Sequence, residues 1–131
     1  MKVTFIRHCE TDWNAERRIQ GLTDRELNDF GRLEAKRLAE TLSPFVLEAI
    51  VSSPLKRATE TAYIIGAALG ITKIETDERF SECAFGFFEG TTDIEREAEF
   101  GPSVAEAWLN DFEYDLRGLG GESHEEVIER Q

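Results

Sequence analysis

The chain has 131 residues, with 27 acidic side chains against 15 basic ones and a formal net charge of −12. That balance argues against non-specific binding to nucleic acid or anionic membranes, both of which reward clustered Lys and Arg, and requires any anion site to be a local basic pocket. The length allows one domain, 1–131, able to bury a core without disulfides.

Lys2 to Ile6 is a short apolar run that reads as a buried strand, and it delivers Arg7 and His8 to its carboxyl end, where open α/β sheets place their ligands. A guanidinium clamps phosphate oxygens in a fork, and an imidazole nitrogen can attack phosphorus. A polar loop follows to about Asn28. Ala35, Leu38, Ala39 and Leu42 recur at helical spacing, and Ser43-Pro44 ends that helix. Ala49-Ile50-Val51 is predicted as a second strand. Ser53 is the predicted N-cap of the next helix, with Pro54 at its first position, and the helix runs through Ala58, Ala62 and Ile65 to Gly70. Ile71 to Ile74 is a predicted third strand. This alternation implies an α/β fold with a mostly parallel sheet and helices on its faces. From Thr91 to Leu116 the pattern is helical and acidic, read as a short cap insertion over about 91–117. Ser123 with Glu126 is a capping box that opens a last helix.

Four blocks of residues together resemble the histidine phosphatase superfamily, the phosphoglycerate-mutase-like enzymes. The first is Arg7-His8-Cys9-Glu10-Thr11 with Trp13-Asn14, Arg18-Ile19-Gln20-Gly21, Asp24, Leu27 and Gly31. The second is Ser52-Ser53-Pro54-Leu55-Lys56-Arg57-Ala58 with Thr61-Ala62. Phe80-Ser81-Glu82, Gly86 and Phe88-Glu89-Gly90 make the third, and Gly120-Gly121-Glu122-Ser123 with Val127 and Arg130 the fourth. The blocks stand in the family's order and cover nearly the whole chain. The resemblance implies a three-layer sandwich around a mostly parallel central sheet.

It also implies site roles. His8 would be the nucleophile, forming a phosphohistidine intermediate, which requires a neutral imidazole whose other N–H is held by a carbonyl. Arg7 and Arg57 would hold the transferring phosphoryl group and neutralise its equatorial oxygens. Asn14 would donate to the same phosphate, and Gln20 and Gly21 would line the pocket. Glu82 would protonate the leaving alcohol and then activate water, a role that needs its carboxyl raised towards neutrality by burial, which Phe80, Phe85, Phe87 and Phe88 could provide, and by the nearby negative phosphate. The chemistry requires no metal or other cofactor. Cys9 departs from the family pattern, which has Gly after the nucleophile. Cys9 and Cys83 have no metal-ligand spacing. They read as two unrelated buried thiols, with a regulatory disulfide as the alternative.

The implied activity is a phosphomonoesterase acting on a small phosphorylated metabolite. Two alternatives stay open: a phosphoglycerate-mutase-type phosphotransferase, and a non-catalytic binder of a phosphate ligand. From Thr91 to Leu116 the cap stretch carries Arg96 as its only base, against many carboxylates, a poor host for phosphoglycerate. In the family a further core strand ends in a second catalytic histidine. This sequence holds no such strand, and His124 in the last helix reads as solvated surface. The sequence thus reads as truncated at its C-terminus, feebly active or inactive, with self-association through an open sheet edge expected. No segment is long and apolar enough for a membrane span, the N-terminus lacks a signal peptide's layout, and a reduced cytoplasmic setting is the expectation.

Overall fold

The computed structural model describes residues 2–111 and 114–131. Two compact units organise the chain, one from residues 1–12 and 25–78, the other from 13–24 and 79–131.

In the first unit, helix α2 (Asp29–Leu42) starts at Asn28, whose side chain accepts the Gly31 amide. The predicted apolar spacing is the buried stripe: Ala35, Ala39 and Leu42 face inward. Helix α3 (Lys56–Leu69) buries Arg57, Thr61, Ala62, Ile65 and Gly66, and Gly70 ends it in the left-handed conformation. Ala39, Leu42 and Ile65 form the centre of the helix contact, with Leu38, Leu47, Ile50 and Leu69 packed around them. Glu60 ties the two helices at their near ends, accepting from the Leu27 amide at 3.0 Å and from Arg32 Nε at 2.6 Å. Strands β1 (Ile50–Ser52) and β2 (Ile74–Thr76) pair in parallel, Ile50 opposite Ile74. The crossover between them is α3, as the alternation predicted.

Strand β1 lies one residue later than the expected Ala49-Ile50-Val51, and three further expectations differ. Strand β2 begins at Ile74, three residues later than the expected Ile71, because Ile71 belongs to the helix cap, its amide bonded to the Gly66 carbonyl. Helix α3 begins at Lys56. Ser53 does not cap it; its hydroxyl accepts the Leu55 amide, and Leu55 is the N-cap. The third difference is the largest. Residues 2–6 form no strand among the described residues, and Val3, Phe5 and Ile6 are 58, 86 and 41% exposed. A strand exists only through a ladder with a neighbour, and residues 2–6 form none, among the described residues, with either outer edge of the β1–β2 pair.

The second unit opens with a single helical turn, α1, which spans Asp12–Ala15 and begins at the last residue of the first unit. Helix α4 (Asp93–Phe100) is opened by a Thr92–Glu95 capping box, and α5 (Pro102–Asn110) has Pro at its first position. The expected Ser123–Glu126 capping box opens α6 (His124–Arg130). Part of the acidic stretch read from Thr91 to Leu116, residues 112–113, lies outside the described residues. Phe88 is fully buried in an aromatic cluster, edge-on to Phe100 (5.1 Å) and Trp108 (5.5 Å). Such edge-to-face geometry suits the ring quadrupoles. Arg96 is 1% exposed and stacks over Trp108, its guanidinium carbon 4.6 Å from the ring centroid. It donates to Asp93 and to Thr91. Among the described residues its Nε has no hydrogen-bond partner, and the ring faces of Trp108 and Phe88 stabilise that buried cation.

Candidate functional site

The His8 segment is held in the first unit by α2 and α3. The Cys9 amide donates to Thr61 Oγ1 at 3.1 Å, and the same hydroxyl donates to the Arg57 carbonyl at 2.7 Å. One side chain on α3 therefore joins the residue after His8 to the turn that bears Arg57. Glu10 is anchored on α2: its amide donates to Glu34 Oε2 (3.0 Å), and its Oε1 accepts from Asn28 Nδ2 (2.9 Å). Gly31 is buried against the Glu10 backbone, and a Cβ there would overlap the Glu10 carbonyl oxygen. This close approach explains the glycine at that point of the first block.

His8 is half-buried, and its Nδ1 lies 2.8 Å from the Cys9 carbonyl oxygen. A carbonyl only accepts, so Nδ1 carries a hydrogen, and in the neutral imidazole the lone pair is on Nε2. Arg7 is exposed beside it, and both residues line an open hollow of about 450 Å³ with Glu34 and Arg37 of α2. Arg57 is 2% exposed and sits in the first turn of α3. Arg7, His8 and Arg57 thus belong to one unit, on segments that Thr61 binds together.

Asn14, Gln20, Gly21 and Glu82 belong to the second unit. Asn14 is half-buried in α1, and Gln20 is buried. The 18–23 loop is fixed against Glu89 and its neighbours. Arg18 donates to the Gly90 carbonyl, and Ile19 exchanges backbone bonds with Gly90 and Thr91. The Glu89 carboxylate accepts the amides of Leu22 (3.1 Å), Thr23 (2.8 Å) and Phe85 (2.9 Å), and the Thr23 hydroxyl. Gly21 has a φ of +55°, and a Cβ there would overlap that carboxylate. Glu89 was part of the third block without an assigned task; its work is to shape the turn bearing Gln20 and Gly21.

The surroundings of Glu82 differ from expectation. Glu82 is exposed, and its Oε1 accepts the Cys83 amide at 2.8 Å. Phe80 and Phe87 are 53 and 69% exposed and give it no burial, because Phe88 turns inward to Phe100, Trp108 and Arg96 instead. His124 is half-buried at the start of α6. Cys9 and Cys83 are both free thiols. Burial pushes the Cys9 thiol up, against the Thr61 hydrogen bond, with the Glu34 charge adding to the rise. Burial together with the charges of Glu122 and Glu82 pushes Cys83 up to about 11. Among the described residues no three His, Cys, Asp or Glu side chains are grouped as metal ligands, and no helix is long and apolar enough to cross a membrane.

A family model, the Histidine phosphatase superfamily (branch 1), matches residues 3–131, and the chain belongs to that family. Phosphoglycerate mutase-like protein 4 of Arabidopsis thaliana is 40% identical over 131 residues, covering 98% of this chain and 56% of the relative. Phosphoserine phosphatase 1 of Hydrogenobacter thermophilus is 36% identical, covering 99% of this chain and 60% of the relative. Among solved structures, a mycobacterial glucosyl-3-phosphoglycerate phosphatase in complex with VO3 superposes with a TM-score of 0.84 at 36% identity, over 95% of this chain and 58% of that one. The chain therefore spans a little over half the length of these relatives.

Proposed function

We propose that the chain carries the nucleophile-bearing part of a phosphomonoesterase that hydrolyses a small phosphorylated metabolite. Nε2 of His8 attacks phosphorus, the bond to the ester oxygen breaks, and Glu82 protonates the departing alcohol. Water, deprotonated by Glu82, then attacks the phosphohistidine and releases inorganic phosphate and neutral His8. Arg7 and Arg57 neutralise the phosphoryl oxygens, Asn14 donates to them, and Gln20 and Gly21 line the pocket. The ligand is a small phosphate ester rather than nucleic acid or membrane, in a cytoplasmic setting. The architecture that goes with this reading is the family's three-layer sandwich, one domain over 1–131 with a cap at about 91–117.

The observation that carries the reading is the Nδ1 contact of His8 with the Cys9 carbonyl, which puts a hydrogen on Nδ1 and so selects, for the neutral imidazole, the tautomer with its lone pair on Nε2, the one a nucleophilic imidazole needs. Three named relatives with phosphatase or mutase-like descriptions support the reaction class. Arg96 speaks against the mutase alternative. A mutase needs a cation to hold the substrate's second anionic group, and the one base of the acidic stretch is buried against Trp108.

Rapid quench with a labelled phosphate ester tests the mechanism. The expected product is an acid-labile, base-stable phosphoprotein that His8→Ala fails to form. Vanadate is expected to inhibit more strongly than phosphate, because it adopts the trigonal-bipyramidal geometry of the transition state. Acid-stable label, or full turnover in His8→Ala, would overturn it. Binding of the ester without release of phosphate would favour the non-catalytic binder.

A further inference from the structure

The fourth sequence block has no task in the mechanism above, yet it closes around the Glu82 loop. Arg130, in the last turn of α6, donates Nη1 to the Ser81 carbonyl and Nη2 to the Glu82 carbonyl, both at 2.9 Å. Its Nε donates to Glu122 Oε1 at 3.0 Å. Glu122 in turn accepts the Ala84 amide on Oε2 at 2.7 Å, and its own amide donates to the Ala84 carbonyl at 2.9 Å. Arg130 and Glu122 thus hold the backbone on both sides of Glu82. The two side chains are only 27 and 23% exposed, and the Ser123–Glu126 capping box fixes the helix between them.

A planar guanidinium that engages two successive carbonyls and a carboxylate defines a backbone orientation, which a lysine ammonium cannot do. General acid catalysis is sensitive to such placement, since the proton must lie within hydrogen-bond reach of the leaving oxygen. We propose that Arg130 and Glu122 are positioning residues for Glu82, fixing the carboxyl against the leaving group of the substrate. The inference rests on the reading of Glu82 as proton donor.

The test compares two substrates on the chain and on Glu82→Gln, Arg130→Ala, Arg130→Lys and the double variant Glu82→Gln/Arg130→Ala. An alkyl phosphate has a poor leaving group and needs the acid. A nitrophenyl phosphate leaves as a stabilised phenolate and depends on it far less. General acid catalysis typically contributes a factor of about 10² to 10⁴, so Arg130→Ala is expected to lower kcat on the alkyl ester at least ~10-fold more than on the nitrophenyl ester. Glu82→Gln is expected to show the same selectivity, and the double variant to be no worse than Glu82→Gln, because both act through one group. Arg130→Lys keeps the charge and loses the fork; it is expected to show the same selectivity in weaker form, and it carries the test if Arg130→Ala does not fold. Equal losses on both esters, or multiplying losses in the double variant, would make Arg130 a purely structural residue and overturn the proposal. Glu82→Gln without selectivity would instead remove the acid role from Glu82 and overturn the reading on which the proposal rests.

Discussion

The amide of Cys9 donates to the Thr61 hydroxyl, and that hydroxyl donates to the Arg57 carbonyl. Thr61 is 3% exposed, so neither bond can be replaced easily by water. Thr61→Val keeps the shape and removes both bonds. The expected cost is about 1–3 kcal/mol of stability, the usual penalty for leaving a buried polar group unsatisfied, with a larger fall in turnover because the His8 segment loses its tie to the Arg57 turn. Thr61→Ser is expected to keep most of both. Urea unfolding and steady-state rates check this; a Thr61→Val protein with the parent's midpoint and rate would remove the tie from the account.

Gly21 and Glu89 make a second pair. A left-handed residue other than glycine costs roughly 1–2 kcal/mol, and at Gly21 the added methyl must also displace the Glu89 carboxylate. Gly21→Ala is therefore expected to lower the melting temperature and to raise KM more than it lowers kcat, because in the proposed site the turn bearing Gln20 lines the substrate pocket. Glu89→Gln, which can no longer accept at both ends, is expected to shift KM in the same direction. Unchanged KM in both would show that the turn does not reach the substrate.

The thiols are expected to be inert near neutrality. Cys83 is held up to about 11, first by burial and then by the Glu122 and Glu82 charges, and the thiolate is the reactive form. Iodoacetamide labelling followed by mass spectrometry should be slow at neutral pH and should rise only in strongly alkaline buffer. Fast labelling at neutral pH would contradict the buried setting.

Glu95 and Glu122 both contribute to acid sensitivity. The Arg18 hydrogen bond, with the Thr92 amide, holds Glu95 down to about 2. For Glu122, burial acts to raise the carboxyl, and Arg130 with the Ala84 amide outweighs it, so the net direction is down. A carboxyl lowered on folding stabilises fully above its unfolded value, and that contribution fades as pH falls through the folded value. Stability is thus expected to hold near neutrality and to decline between about pH 5 and about pH 2. Glu95→Gln and Glu122→Gln should each flatten that decline in urea titrations. An acid limb identical to the parent's in both variants would place the loss elsewhere.

Packing of α2 on α3 supplies a control remote from the site chemistry. Ile65 is 2% exposed between Ala39 and Leu42. Ile65→Ala is expected to cost about 2–5 kcal/mol, the range for truncating a buried aliphatic side chain, without altering the pH profile of any turnover. Thermal melts and a pH–rate profile check both parts.

The elements whose signals are local were legible in the sequence. The i, i+3, i+4, i+7 spacing of Ala35, Leu38, Ala39 and Leu42 defines a helix face, and Ser123 with Glu126 closes its own cap within four residues; both features are in the structure. Arg7, His8 and Arg57 stood out because their residue types suit one chemistry and their blocks occur in one order. The tertiary structure decided what depends on partners distant along the chain. Residues 2–6 are apolar enough for a strand, but a strand needs a neighbouring backbone, which composition cannot supply. The surroundings of Glu82 turn on which way one phenylalanine packs: Phe88 joins Trp108 and Arg96, and Phe80 and Phe87 stay outside. Thr61, Glu89, Glu122 and Arg130 were visible as residues of the four blocks, but each holds a loop 38 to 67 positions away in sequence or fixes one that does, as the bonds of Ala84 to Glu122 and Leu22 to Glu89 show. Hydrogen bonds of that range leave no periodicity in the chain, so only the folded backbone reveals them.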